Sequence, residues 1–142
     1  MIPLGITWKD NTLEVQTKLK DLAQNTLDEC AGEMTSQVKR NTKVKTGKTK
    51  NSWRYVVTEE DENFVAVIGS DYENAIWEEF GTGEYAKETG HSGREGGWVY
   101  EDEEGKWHRT IGKKARRPFH KAYTALKNKI IQHIQDKFKG AF

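Results

Sequence analysis

The sequence predicts an α+β fold: two long amphipathic helices packed on an antiparallel β-sheet, with a short helix and a long Gly-rich loop. Three observations carry this. Apolar residues recur at spacings of three and four over one long stretch near each end of the chain. Between these stretches lie two pairs of β-branched and aromatic runs, each pair separated by polar, turn-like residues. The resulting order is helix, strands, short helix, strands, helix, which is an α+β pattern. At 142 residues the chain reads as one domain over 1–142, with an N-terminal arm at 1–10.

The first helix is predicted from about Asn11 to Asn41, a stretch with no proline and one glycine. Leu19, Leu22, Ala23, Leu27, Cys30, Ala31, Met34 and Val38 form its apolar face. At 1.5 Å per residue it would be about 43 Å long. Gly32 costs such a helix about 1 kcal/mol against alanine, which predicts a bend or a close contact there. Cys30 lies on the apolar face with no activating neighbour, so it reads as a buried structural thiol. As the single cysteine, it excludes an intrachain disulfide and a Cys-based zinc site, and it points to a reducing compartment.

Thr46-Gly47 breaks the helical pattern. Trp53–Val57 and Phe64–Ile68 then predict a hairpin turning through Glu59–Asn63, with Trp53, Tyr55 and Val57 on one face and Phe64, Ala66 and Ile68 on one face. Asp71 to Phe80 predicts a short helix capped by Asp71, with Ala75, Ile76 and Phe80 at helical spacing and Gly81 as its stop. From Gly81 to Gly97 there are six glycines in seventeen residues. That composition predicts a flexible loop, mobile in the isolated chain and ordered by a partner. Trp98–Tyr100 and Lys106–Ile111 predict a second hairpin turning at Gly105. Pro118 opens the last helix, which continues through Phe119, Ala122, Tyr123, Leu126, Ile130, Ile134 and Phe138 to Gly140. Phe80 and Phe119 are expected to be buried where the short and last helices meet the sheet.

The formal net charge is +1, which gives no whole-chain attraction to nucleic acid or anionic membrane. Locally the charges segregate. Lys39 to Arg54 and Lys106 to Lys121 each hold seven basic residues and no acid, leaving nine basic residues against all 22 acids elsewhere. Solvated faces with internal pairing explain such runs, and a DNA contact is the sharper alternative. No apolar run approaches the roughly 20 residues that span a bilayer. Met1 to Leu13 lacks the pattern of a signal peptide. The expectation is a soluble protein made inside the cell, without a membrane role.

The titratable residues offer little sign of chemistry. His91, His108, His120 and His133 are scattered and lack metal-ligand spacing, so surface roles are expected. There is no phosphate-binding loop and no serine nucleophile elbow. Glu104-Gly105-Lys106 has the acid-x-Lys spacing of metal-dependent nucleases, with Asp71 or Glu78 as possible companions. Gly105 reads as a turn, however, where that motif needs a continuous strand. The expectation is no enzyme activity, no cofactor and no metal.

Three segments resemble the tail-completion, or head–tail joining, proteins of tailed bacteriophages. Val44–Ser52 is similar to their V-D-T-G-x-L-(R/K)-x-S segment, Asp71–Gly83 to Y-A-x-x-x-E-x-G-T, and Arg117–Ala122 to R-P-F-(L/M)-x-P-A. Lys45, Thr49 and His120 depart from those patterns. The resemblance covers about residues 15 to 138 and assigns scaffold roles to Thr46, Gly47, Glu79, Phe80, Gly81, Thr82, Arg117, Pro118 and Phe119. Glu78 and Glu79 would meet Arg116 or Arg117. It implies a structural virion protein that forms a homo-oligomeric ring at the head–tail junction. Its partners would be tail terminator and head-closure or connector proteins, with non-specific phage DNA contact possible through the basic runs. Candidate interface residues are Trp98, Tyr100 and Trp107 in the second hairpin, with Glu84, Tyr85 and Arg94 in the preceding loop. The alternative reading is a DNA-binding or metal-dependent nucleic-acid-processing protein.

Overall fold

In the computed structural model, residues 5, 9–44, 47–91 and 93–141 are described. Helix α1 spans Thr12–Asn41 and buries Thr26, Cys30, Ala31, Met34, Thr35 and Val38, one face at the spacing the sequence predicts. Helix α4, Pro118–Gly140, packs along it antiparallel. Lys129 Nζ lies 3.0 Å from Glu33, His133 Nε2 lies 3.1 Å from Glu29, and Asn41 Nδ2 donates to the Pro118 carbonyl at 3.1 Å. Burial raises the Cys30 thiol pKa, helped by the Glu33 and Glu29 carboxylates, so it stays protonated and inert.

Strands β1 (Arg54–Glu60) and β2 (Asn63–Gly69) form an antiparallel hairpin against α1. The ladder runs further than the composition suggests. Glu60 pairs with Asn63, so the turn is only Asp61-Glu62, both at positive φ (47° and 65°). A tight turn of that hand matches the strand twist, so it lets Glu59 and Glu60 stay in the ladder despite their polarity. Tyr55, Val57, Phe64, Ala66 and Ile68 are half-buried, while the directly paired Val56 and Val67 face solvent. Gly32 meets the Tyr55 ring, the close contact expected there. A Cβ at Gly32 would nevertheless sit 3.5 Å from Tyr55 Oη, ordinary contact distance. Gly32→Ala is therefore expected to stabilise the fold by up to about 1 kcal/mol, read as a rise in the urea midpoint.

Helix α2 (Lys48–Ser52), unforeseen in the sequence, sits between α1 and β1 and starts at Gly47, φ 81°. Thr46, with Lys45, lies outside the described residues, as does most of the 1–10 arm. Helix α3 covers Glu73–Phe80. Asp71 does not cap it: Asp71 binds Arg54 at 2.6 Å, and Ser70 Oγ accepts the Tyr72 N–H. Gly81 ends α3 at φ 78°, its N–H bonded to the Trp77 carbonyl.

The Gly-rich stretch contains a 3₁₀ helix, Gly83–Thr89, with Gly83 and Ala86 buried. Thr89 Oγ1 donates to the Phe80 carbonyl, and the His91 ring lies against Phe80 at 4.2 Å. Strands β3 (Trp98–Glu101) and β4 (Trp107–Thr110) follow. They form a second two-stranded sheet of their own, so the helices do not rest on a single sheet. Asp102 organises their turn. Its Oδ1 accepts the Glu104 and Lys106 N–H groups and its Oδ2 lies 2.7 Å from His108 Nε2. The His108 contact, then the Lys106 N–H, hold its carboxyl below the usual range.

The core cluster is Met34, Val38, Trp53, Ala75 and Ala122, flanked by Ile68, Phe119, Leu126 and Ile130. Phe80 and Phe119 are only half-buried, and Ile76 and Tyr123 are exposed, contrary to expectation. The reason is α3: at eight residues it covers only the first turn of α4 and leaves these side chains at an open edge.

Candidate functional site

The three segments singled out in the sequence converge at the end of the molecule where α1 finishes and α4 begins. On α3, Ala75, Glu78 and Glu79 share the buried face. Pro118 occupies the first turn of α4 and has no N–H to offer. The next two backbone donors, Phe119 and His120, bond to Glu79 at 2.8 and 3.0 Å. A carboxylate from another helix thus satisfies the open N–H groups of α4 and sits at the positive end of its dipole. Arg117 makes the corner, with φ 53° and ψ 52°. The Glu78 carbonyl accepts the N–H groups of Arg116 and Arg117, at 2.9 and 3.1 Å. The Glu78 carboxylate is paired with Lys113 and lies 3.8 Å from Arg116 Nε. So Glu78 meets Arg116, whereas Glu79 takes backbone donors and, among the described residues, no arginine.

Two further ties hold the corner. Residues 82–84 run beside 111–113: Thr82 and Glu84 donate to the Lys113 and Ile111 carbonyls at 2.9 Å each, and Thr82 Oγ1 accepts the Lys113 N–H. Gly83 is required here, because a Cβ would fall 2.1 Å from the Ile111 carbonyl oxygen. Helix α2 is tied to the start of α3 by Asn74 Nδ2 to Thr49 Oγ1 (2.7 Å) and Ser70 Oγ to Ser52 Oγ (2.6 Å).

An open groove of about 240 Å³ lies along this corner, lined by Trp53, Ile68, Ser70, Ala75, Ile76, Glu79, Phe80 and Phe119. Trp53 stacks on Phe119 with centroids 6.2 Å apart. The indole N–H of Trp53 is buried without a hydrogen-bond partner among the described residues. The groove is apolar apart from Ser70 and Glu79. It went unseen in the sequence because helical spacing predicted Phe80, Phe119 and Ile76 as core.

The second hairpin divides its aromatics between two faces. Trp98 and Tyr100 lie on one, with His108 and Thr110; Trp107 lies on the other, with Val99 and Arg109. Trp98 is half-buried under the Arg94 guanidinium, 5.5 Å from its ring centroid. Tyr100 and Trp107 are exposed, as are Val99 and Ile111, which the sequence reading did not select. Strand alternation around Trp107 would have found Val99. Glu84 is exposed, with Oε1 3.4 Å from the Gly96 N–H; Tyr85 is half-buried and Arg94 exposed.

The nuclease-like acids do not come together. Asp71 binds Arg54, Glu78 binds Lys113, and Glu104 stands in the β3–β4 turn with Lys106 Nζ 3.9 Å away. Among the described residues, no group of three or more His, Cys, Asp or Glu could hold a metal ion. Among those residues, too, no helix is long and apolar enough to cross a membrane.

A family model described as "Bacteriophage HK97-gp10, putative tail-component" matches residues 9–81, from α1 to the glycine that ends α3. The chain belongs to this HK97-gp10-like family. The family is one of phage tail components, which is a structural role. No curated protein and no solved structure matches the chain. The family match covers the first of the three converging segments, Val44–Ser52, and the second as far as Gly81. The third, Arg117–Ala122, lies beyond it but is joined to the matched part through Glu78 and Glu79.

Proposed function

We propose that this tail component forms an oligomeric ring at the head–tail junction, completing the tail and joining it to the head. The observation that carries the reading is the meeting of the three segments that resemble tail-completion proteins in one hydrogen-bonded corner. Its neighbours in the particle would be a tail terminator on one side and head-closure or connector proteins on the other. The exposed faces of β3 and β4 are the leading contact surface, with Trp107 and Tyr100 as anchors, because a buried aromatic carries much of an interface's energy. Glu84, Tyr85 and Arg94 border it.

Electron microscopy of a phage lysate tests this. Adding the purified protein to heads and tails made without it is expected to restore joined particles. Trp107→Asp, a change at an exposed position, should keep the melting temperature within about 2 °C and fail to join them. Normal joining by that variant would remove the hairpin from the interface.

One observation favours a DNA contact as a second reading. The Asn41–Pro118 bond brings the two acid-free basic runs to the same end of the molecule. Phosphates there would be held without sequence reading, with an affinity that falls steeply with salt.

A further inference from the structure

The two hairpins differ in their support. Helix α1 packs on β1–β2, whereas β3 and β4 have each other as their main packing partners. Two strands of four residues each, with no helix laid along them, make a marginal unit; a third strand is what such a hairpin lacks. Both outer edges are open: among the described residues, no backbone group outside the hairpin bonds to the backbone of Trp98–Glu101 or Trp107–Thr110. Val99, 57% exposed, and Trp107, 68% exposed, stand on one face, with Glu101 and Arg109.

The start of the chain carries a matching pattern. Ile2, Leu4, Ile6 and Trp8 alternate with Pro3, Gly5 and Thr7, the period of two that gives a strand one apolar face. Gly5 is exposed, and a Cβ there would meet nothing within 4 Å. We propose that Ile2–Trp8 of a second copy of this chain adds to the edge of β3–β4 as a third strand. Pro3 sets the register's parity: lacking an N–H, it must turn outward with the other odd residues, so the even residues bond the hairpin. Their side chains then stand beside Val99 and Trp107, and Pro3 on the new edge stops further addition.

Reach decides the occupant. The segment is joined to α1 by Lys9–Asn11, about 10 Å of chain, and Asp10 fixes the helix start by accepting the Thr12 N–H at 2.9 Å. Leu13 and Val38 lie about 38 Å apart along α1, and the hairpin springs from the Val38 end, where 111–113 bond to 82–84 and Asn41 bonds to Pro118. Strands pointing back along the helix would return only about 13 Å of that distance. The chain's own segment therefore cannot reach this edge, and a neighbour's can. The β1–β2 edges lie nearer, but that hairpin already has α1 beneath it. The proposal rests on the ring reading above and names the contact that builds the ring. A strand of one copy on the hairpin of the next is a contact between unlike patches, which closes by rotation into a ring or continues as a filament.

Photo-cross-linking in joined particles tests it. Isotope-labelled and unlabelled protein, both with p-benzoylphenylalanine in place of Leu4, are mixed, added to heads and tails made without the protein, and irradiated. Links from position 4 to residues 98–111, between labelled and unlabelled chains, are expected. Links within one chain, or to β1–β2, would overturn the proposal. Links only to another virion protein, or joined particles with no link, would overturn it while leaving the junction reading intact. A pair of proline variants gives a readout that needs no probe. Ile6→Pro removes a donor aimed at the hairpin, and Thr7→Pro one aimed outward. Both should keep the melting temperature within about 2 °C. Joining is expected to fall about tenfold or more for Ile6→Pro and to stay near wild type for Thr7→Pro. Equal joining by the two variants, whether kept or lost, would overturn the strand addition. Wild-type protein that restores no joined particles would remove the junction reading, and the proposal with it.

Discussion

Glu79→Ala is expected to destabilise the protein by about 2–4 kcal/mol, one of the two largest effects among single substitutions considered. The residue is 8% exposed, and its carboxylate accepts backbone N–H groups at a helix start. It accepts the N–H groups of Phe119 and His120 across a break of about forty residues. Losing it leaves two helix donors facing a half-closed corner and removes a negative charge from the start of α4. Glu79→Gln keeps one acceptor and the side-chain shape, so it should cost about half as much. Urea denaturation of both variants checks this. A loss below about 0.5 kcal/mol for alanine would place Glu79 among ordinary surface residues.

Trp53→Ala is expected to cost about 3–5 kcal/mol. Trp53 is 6% exposed, belongs to the central cluster, and stacks on Phe119. Because its buried N–H has no partner among the described residues, Trp53→Phe breaks no hydrogen bond and should cost only the lost volume, about 1–2 kcal/mol. Phe119→Ala should fall below the range for a fully buried ring, since Phe119 is half-buried. Thermal denaturation that ranks Phe119→Ala above Trp53→Ala would contradict this packing.

The long elements were legible because their signals are periodic. The apolar spacing of α1 predicts a buried face that the structure shows, and the patterns of α4, β1 and β2 predict faces that the structure half-buries. What the sequence hid was mostly tertiary. Asp71 looks like a helix cap, but Arg54, seventeen residues away, holds it in an ion pair. Phe80, Phe119 and Ile76 carry a core pattern, and only the shortness of α3 leaves them lining a groove. Glu79 gives no local sign of capping a helix whose first residue is Pro118. Local sequence signals gave both hairpin pairings, but the division into two separate sheets was equally unreadable, because local turn and strand signals do not say whether two hairpins join edge to edge. Of the candidate site, the scaffold residues were found through resemblance and the groove between them was not.

The proposed role of this tail component is to join heads to tails. Electron microscopy of lysates from a phage whose copy of this gene carries an early stop codon tests it most directly. Complete heads and complete tails that remain separate are expected, and joined particles once the wild-type protein is supplied. Joined, infectious particles from the stop mutant would contradict it.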